Sequence, residues 1–162
     1  MERRDKNNYY LDLAEMVSQR GTCLRRNYGA VIVKNDEVIA TGYTGAPRGR
    51  KNCIDLGYCR RAKMNVPRGQ MYELCRSVHA EQNAIISASR NEMIGSALYL
   101  VGTEKETGLY IENANSCSIC KRLIINSGIE TVCIRDNKNK FRNIAVQEWI
   151  ENDDSLSNDL GY

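Results

Sequence analysis

The chain's one histidine, His79, stands two residues before Glu81, and Cys117 and Cys120 follow downstream as a Cys-x-x-Cys pair. One imidazole and two thiolates leave a tetrahedral zinc ion a fourth position open to water, and a nearby carboxylate that is not a ligand is spare to move protons. Each half alone is a weak signal. A single histidine is more often structural, and a Cys-x-x-Cys serves equally as a redox pair or half of a structural zinc knot. Combined, they point to a hydrolytic metal centre with His79, Cys117 and Cys120 as ligands and Glu81 as proton carrier.

Helix geometry constrains how these residues are held. At about 100° per residue, positions i and i+2 point roughly 200° apart, so His79 and Glu81 converge only at a helix mouth. The metal then faces backbone N–H groups and a helix dipole that favour thiolates. Cys117 precedes the apolar run Leu123-Ile124-Ile125, so it opens a second helix, with Ser116 as the expected N-cap. His-x-Glu followed by Cys-x-x-Cys is a signature of zinc-dependent nucleobase deaminases, in which proline, here replaced by Ser116, precedes the first cysteine.

The elements that must position this site are readable from hydrophobic periodicity. Tyr10, Leu13, Ala14 and Val17 recur at helical spacing, with Gly21 at the expected C′ position. Tyr28 to Val33 and Val38 to Tyr43 read as a hairpin around Lys34-Asn35-Asp36-Glu37. Residues 44–74 lack periodicity and form a long loop. The helix after His79 places Ala80, Ala84 and Ala88 against a sheet and is expected to run to about Asn91. Ala97–Val101 and Thr131–Ile134 are strands, Phe141–Val146 a further one, and Cys117–Ser127 the second site helix, closed by Gly128. A loosely ordered C-terminal tail follows. This alternation predicts an α/β fold, a three-layer α/β/α sandwich on a mixed sheet, with residues 1–162 as a single domain.

No stretch of about eighteen apolar residues exists, and the start leads into an amphipathic pattern, so a soluble, cytoplasmic protein without a membrane partner is expected. The formal net charge is +3, which zinc-bound thiolates reduce, so nucleic acid is not an expected partner. Between Thr44 and Arg76 eight arginines and lysines face two acidic residues. Most of such a run is a solvated loop, although one or two of these side chains near the site would suit a phosphate. Seven cysteines in a reducing compartment argue for metal ligands over disulfides. Cys133 sits in a strand pattern as a buried thiol. Cys23, Cys53, Cys59 and Cys75 lie outside the regular elements, where a second, structural zinc would tie the loop to its neighbours. The alternative is four reduced, unconnected thiols.

The chain resembles the deoxycytidylate deaminases of the cytidine deaminase-like superfamily through Tyr28-Gly-Ala-Val-Ile-Val, Thr41-Gly-Tyr-Thr-Gly-Ala-Pro-Arg-Gly, Asn52-Cys-Ile-Asp, His79-Ala-Glu-Gln-Asn-Ala-Ile and Cys117-Ser-Ile-Cys. The resemblance implies a five-stranded mixed sheet and hydrolysis of dCMP to dUMP and ammonia, feeding thymidylate synthesis. It also implies a homo-oligomer, commonly a hexamer, and an arginine near the nucleotide at Arg90. The same zinc residues would serve a deaminase of cytidine, dCTP or a tRNA adenosine, and a zinc-binding nucleic-acid module is a more distant alternative. Thr44 stands where the family's Gly-Tyr-Asn-Gly segment has asparagine, a departure that bears on regulation by dCTP and dTTP.

Overall fold

The computed structural model describes residues 1–157, and the expected tail lies largely outside them. Five strands form one sheet, β1 (Arg26–Lys34), β2 (Glu37–Tyr43), β3 (Ala97–Glu104), β4 (Thr131–Asn137) and β5 (Lys140–Ala145), in the order β2-β1-β3-β4-β5. All pairs are antiparallel except β3 with β4. Asn35 and Asp36 both have positive φ, which closes the β1–β2 hairpin more tightly than the four polar residues suggest.

Strand periodicity divides the core. Ala30, Ile32, Leu98, Leu100, Val132 and Ile134 face one side, whereas Val31, Val33, Tyr99, Val101 and Cys133 face the other. On the second side lies α1 (Lys6–Ser18), whose Tyr10, Leu11 and Ala14 are buried there. The Asp5 carboxylate accepts from Asn8 N at 3.0 Å and caps the helix. The helix stops at Ser18, short of the expected Gly21. That glycine instead admits Asn27, whose Oδ1 would lie 2.2 Å from an added Cβ.

The first side carries α4 (Ala80–Ile86) and α6 (Ser118–Ser127), through Ala80, Ala84 and Ile124. Helices on both faces make the expected three-layer sandwich. Gly42 in β2 lets α4 approach, since a Cβ there would lie 2.2 Å from the Ala80 carbonyl oxygen and 2.4 Å from Ala84 N.

The helix after His79 is shorter than expected. It ends at Ile86, where Ser87 Oγ donates to the Asn83 carbonyl at 2.9 Å. The chain restarts as α5 (Arg90–Met93), capped by Ser89, whose Oγ bonds Glu92 Oε2 at 2.7 Å. This Ser-x-x-Glu capping box overrides the apolar periodicity. The long loop contains α2 (Cys53–Leu56), α3 (Arg60–Lys63) and a 3-10 turn at Tyr72–Leu74. Finally α7 (Val146–Glu151) packs on α6, where Lys121 Nζ lies 2.5 Å from Asp154 and 5.4 Å from the Trp149 ring centre.

Candidate active site

Two helix mouths meet on one face of the sheet. His79 is the N-cap of α4 and Cys117 the N-cap of α6, both with extended backbone. The cap position of α6 therefore falls on Cys117, one residue later than the serine expected there, and Ser116 is fully buried behind it. His79 N donates to Gln82 Oε1 at 2.8 Å, which fixes the backbone entering α4. Cys120 lies in the first turn of α6. Glu81 lies in the first turn of α4 and is 4% exposed.

His79 Nδ1 is 3.4 Å from both Cys117 Sγ and Cys120 Sγ. Zinc bonds of about 2.3 Å to sulfur and about 2.0–2.1 Å to nitrogen, at a tetrahedral angle, separate S and N by about 3.5 Å. Both nitrogen–sulfur distances therefore already match the spacing zinc requires. Among the described residues, these three are the group whose His, Cys, Asp or Glu ligand atoms all lie within 4.8 Å of one another, and Glu81 is not part of it.

Electrostatics agree with a cation-binding set. Burial alone would lower the His79 pKa, but hydrogen bonding to Cys117 and Cys75 and the Cys117 charge raise it to about 10. Cys117 is pulled down to about 4, chiefly by its hydrogen bond with Cys120 and, against burial, by His79. Cys120 is pushed up by the Cys117 thiolate and by burial. These groups share protons that a divalent cation displaces. Burial raises the Glu81 pKa, favouring a carboxyl group that both takes and gives a proton.

The adjoining cavity is lined by Tyr28, Thr44, Tyr72, Asn115 and four arginines, Arg25, Arg26, Arg61 and Arg68, with Glu81 as its one carboxylate. Arg61 and Arg68 come from the basic run flagged in the sequence. Arg25 and Arg26 precede or open β1 and carried no sequence signal; only the fold brings them here. Arg90 is not in this lining. Its Nε donates to the Asn126 carbonyl at 2.9 Å, and the break at Ser87–Ser89 separates it from the helix that follows His79, which was expected to run on to about Asn91.

Of the other cysteines, three face the same cavity. Cys23, Cys59 and Cys75 line the cavity, and Cys53 is buried nearby. Burial raises the Cys53 pKa, as do the charges of Cys23, Cys75 and Cys59. No three of these thiols lie within 4.8 Å of one another. Cys133 is buried in the opposite core layer, as expected.

Comparison with known proteins places this arrangement in a family. The family described as the cytidine and deoxycytidylate deaminase zinc-binding region matches residues 4–135. A deoxycytidylate deaminase of Mycobacterium phage D29 is 37% identical over 136 residues, covering 82% of this chain and 95% of that protein. Another from Schizosaccharomyces pombe is 32% identical over 132 residues, covering 82% of this chain but 37% of that longer protein. In structure, the chain is similar to the dCMP deaminase of cyanophage S-TIM5 in complex with dCMP and dUMP, with TM-score 0.56, 24% identity and coverage of 83% and 84%. It is also similar to cytidine deaminase from Burkholderia pseudomallei, with TM-score 0.59, 16% identity and coverage of 89% and 95%. At these identities, the two structures show the shared fold.

Proposed function

The chain belongs to the cytidine and deoxycytidylate deaminase zinc-binding family, and on that premise we propose that it hydrolyses dCMP to dUMP and ammonia, supplying thymidylate synthesis. The observation carrying this reading is a zinc-spaced trio, His79, Cys117 and Cys120, beside the buried carboxylate of Glu81. The deoxycytidylate deaminase of phage D29, which this chain nearly spans, supports the substrate. Zinc held by the trio would supply Lewis acidity, which in favourable protein sites lowers the pKa of a water from about 15.7 to about 7 and makes it nucleophilic near neutral pH. Glu81 is placed to take a proton from an attacking water as the water oxygen adds to C4 of the pyrimidine. The same carboxyl group is placed to deliver that proton to ring N3 and then to carry the proton of the new C4 hydroxyl to the departing amine, so ammonia leaves and the C4 carbonyl forms. Ammonia release from dCMP, CMP, deoxycytidine and dCTP, measured side by side, tests the reading; turnover confined to a substrate other than dCMP would reject it.

The same proposal includes a second, structural zinc held by Cys23, Cys53, Cys59 and Cys75. In support, Cys23 from the segment before β1, Cys59 at the N-cap of α3 and Cys75 from the segment before α4 line one cavity, and all three influence the buried Cys53 of α2 electrostatically. Metal analysis of the purified protein should find two zinc ions per chain, and Cys53→Ser should lower this towards one while making residues 44–74 more sensitive to protease. One zinc per fully active wild-type chain would rule the second site out.

Residues 1–162 are read as one domain, supported by a single sheet shared by both core layers. Assembly as a homo-oligomer, a hexamer by resemblance, and a cytoplasmic location complete the proposal. No helix among the described residues is long and apolar enough to cross a membrane.

A further inference from the structure

Ser116 stands where the deaminase signature has proline, immediately before Cys117. Proline would bring neither an N–H nor a hydroxyl to this place, whereas serine brings both. The N–H is used locally, since Ser116 N donates to Asn115 Oδ1 at 2.9 Å. The hydroxyl is not. A serine at a helix mouth ordinarily uses its hydroxyl in a cap or a turn, but the cap position of α6 falls on Cys117. Ser116 Oγ is fully shielded from water and has no hydrogen-bond partner. A buried, unpaired hydroxyl is costly where proline would have left nothing unpaired.

The neighbours of Ser116 in the chain, Asn115 and Cys117, line the active-site cavity together with Glu81. Ser116 itself lies behind that wall, where the mouths of α4 and α6 converge. Burial raises the Glu81 pKa, and the Ser116 side chain is among the groups that lower it. The hydroxyl is therefore beside the carboxyl, although the two do not meet at hydrogen-bond geometry in the resting protein. In the proton transfers set out above, Glu81 passes from carboxylate to carboxylic acid and back. The first form needs a donor and the second also supplies one. A hydroxyl that rotates about its C–O bond serves both, because it donates and accepts without carrying charge. We propose that Ser116 is a positioning residue for the deamination, its hydroxyl donating to the Glu81 carboxylate and accepting from the acid, so that one carboxyl geometry is kept through both proton transfers. This rests on the acid–base role given to Glu81.

Steady-state kinetics on dCMP with zinc-loaded protein test the role. Ser116→Ala keeps the amide N–H and removes the hydroxyl. It should lower kcat about 10- to 100-fold, the range of a lost hydrogen bond to a charged group, with KM within about twofold of wild type. Zinc content, and dUMP affinity measured by calorimetry, should match wild type. In the Glu81→Gln background, where no proton is carried, adding Ser116→Ala should lower kcat by no more than about twofold. The same factor in both backgrounds would overturn the proposal, because a serine that only shapes the Cys117 backbone acts whatever carboxyl stands opposite. An unchanged kcat in Ser116→Ala, or a fall accompanied by loss of zinc or of dUMP affinity, would also overturn it. Should Ser116→Ala fail to fold, Ser116→Pro, the residue of the signature itself, carries the same comparison in both backgrounds. Near-wild-type turnover by Glu81→Gln would remove the premise and the proposal together. Wild-type ammonia release from CMP, deoxycytidine or dCTP but not dCMP would sink the substrate reading alone, since the Ser116→Ala factors are expected unchanged on whichever of these is deaminated. Ammonia release from dCMP with equal factors in both backgrounds would do the reverse.

Discussion

Glu81 sits beside His79, Cys117 and Cys120 without joining their close grouping, so its acid–base capacity can be removed by a change that keeps its shape. Glu81→Gln should retain zinc and fold but lower kcat for dCMP by about 10²- to 10⁴-fold, the range for a positioned acid–base group. Turnover near wild type, or loss of the catalytic metal, would deny Glu81 this role; a first-turn glutamate serving the helix dipole predicts only a small stability change. The grouping of His79, Cys117 and Cys120, with Glu81 in the first turn of the same helix as His79, was legible in the sequence because it depends on residue type and short spacing within each pair. The arginines around them were not, because a run of basic residues carries no information about which side chain turns inward. Arg61 is distinguished by burial, a property of the folded loop. Arg90 illustrates the converse, since it lay on the right helical pattern but two serines and a glutamate ended that helix before it.

At the scale of elements, the approach of α4 to β2 sets where His79 and Glu81 stand. A Cβ at Gly42 would strike backbone atoms of α4, so Gly42→Ala must shift the helix. We expect a loss of about 1–3 kcal/mol in stability, as for other overpacked contacts, together with weaker zinc retention. Chemical denaturation and metal analysis would check both, and an unaltered zinc affinity would show that the helix mouth tolerates displacement. Across the sheet, α1 is held by polar contacts that periodicity does not reveal. Arg135 is 1% exposed, and its Nη2 lies 2.7 Å from Asp12 and its Nη1 2.6 Å from Glu15. Removing both carboxylates as Asp12→Asn with Glu15→Gln strands a buried charge and should cost about 3–5 kcal/mol, less for either change alone because one partner persists. Burial tends to raise the Asp12 pKa, but hydrogen bonds from Arg4 and Arg135 lower it overall. Its stabilising contribution is therefore complete above the unfolded carboxyl value of about 3.9 and is lost as pH falls through the lower folded value. Unfolding midpoints measured from pH 6 to pH 3 should drop below about pH 4, with a shallower drop in Asp12→Asn. The strands themselves were legible because each inward position alternates cleanly between the two core layers. Arg135 was not, as a charged residue at an inward strand position reads as exposed until its partners are known.

The whole molecule exposes apolar side chains on both site helices, Ile86 at 69% on α4 and Leu123 at 39% on α6. These helices pack against each other, and we propose that the oligomer forms through a surface that includes Ile86. Ile86→Glu should shift the mass measured by light scattering towards the monomer; an unchanged mass would move the interface elsewhere. Layer order and strand content followed from the sequence, but association did not, because an exposed isoleucine on a helix has the same pattern whether water or another subunit covers it. The sheet order has a further consequence during synthesis. α1, β1 and β2 lie together near the N-terminus and pack on one another, so they can fold as soon as they emerge. The flank of β1 that later pairs with β3 then waits for a strand beginning about 50 residues after β2 ends. At about 5–20 residues per second, the ribosome leaves that flank open for several seconds. During this interval Ala30, Val31, Ile32 and Val33 present an unpaired, apolar strand edge, the form most prone to join another nascent chain. A chaperone that covers extended apolar segments would therefore have its main task here, before the residues of the catalytic centre have all been made.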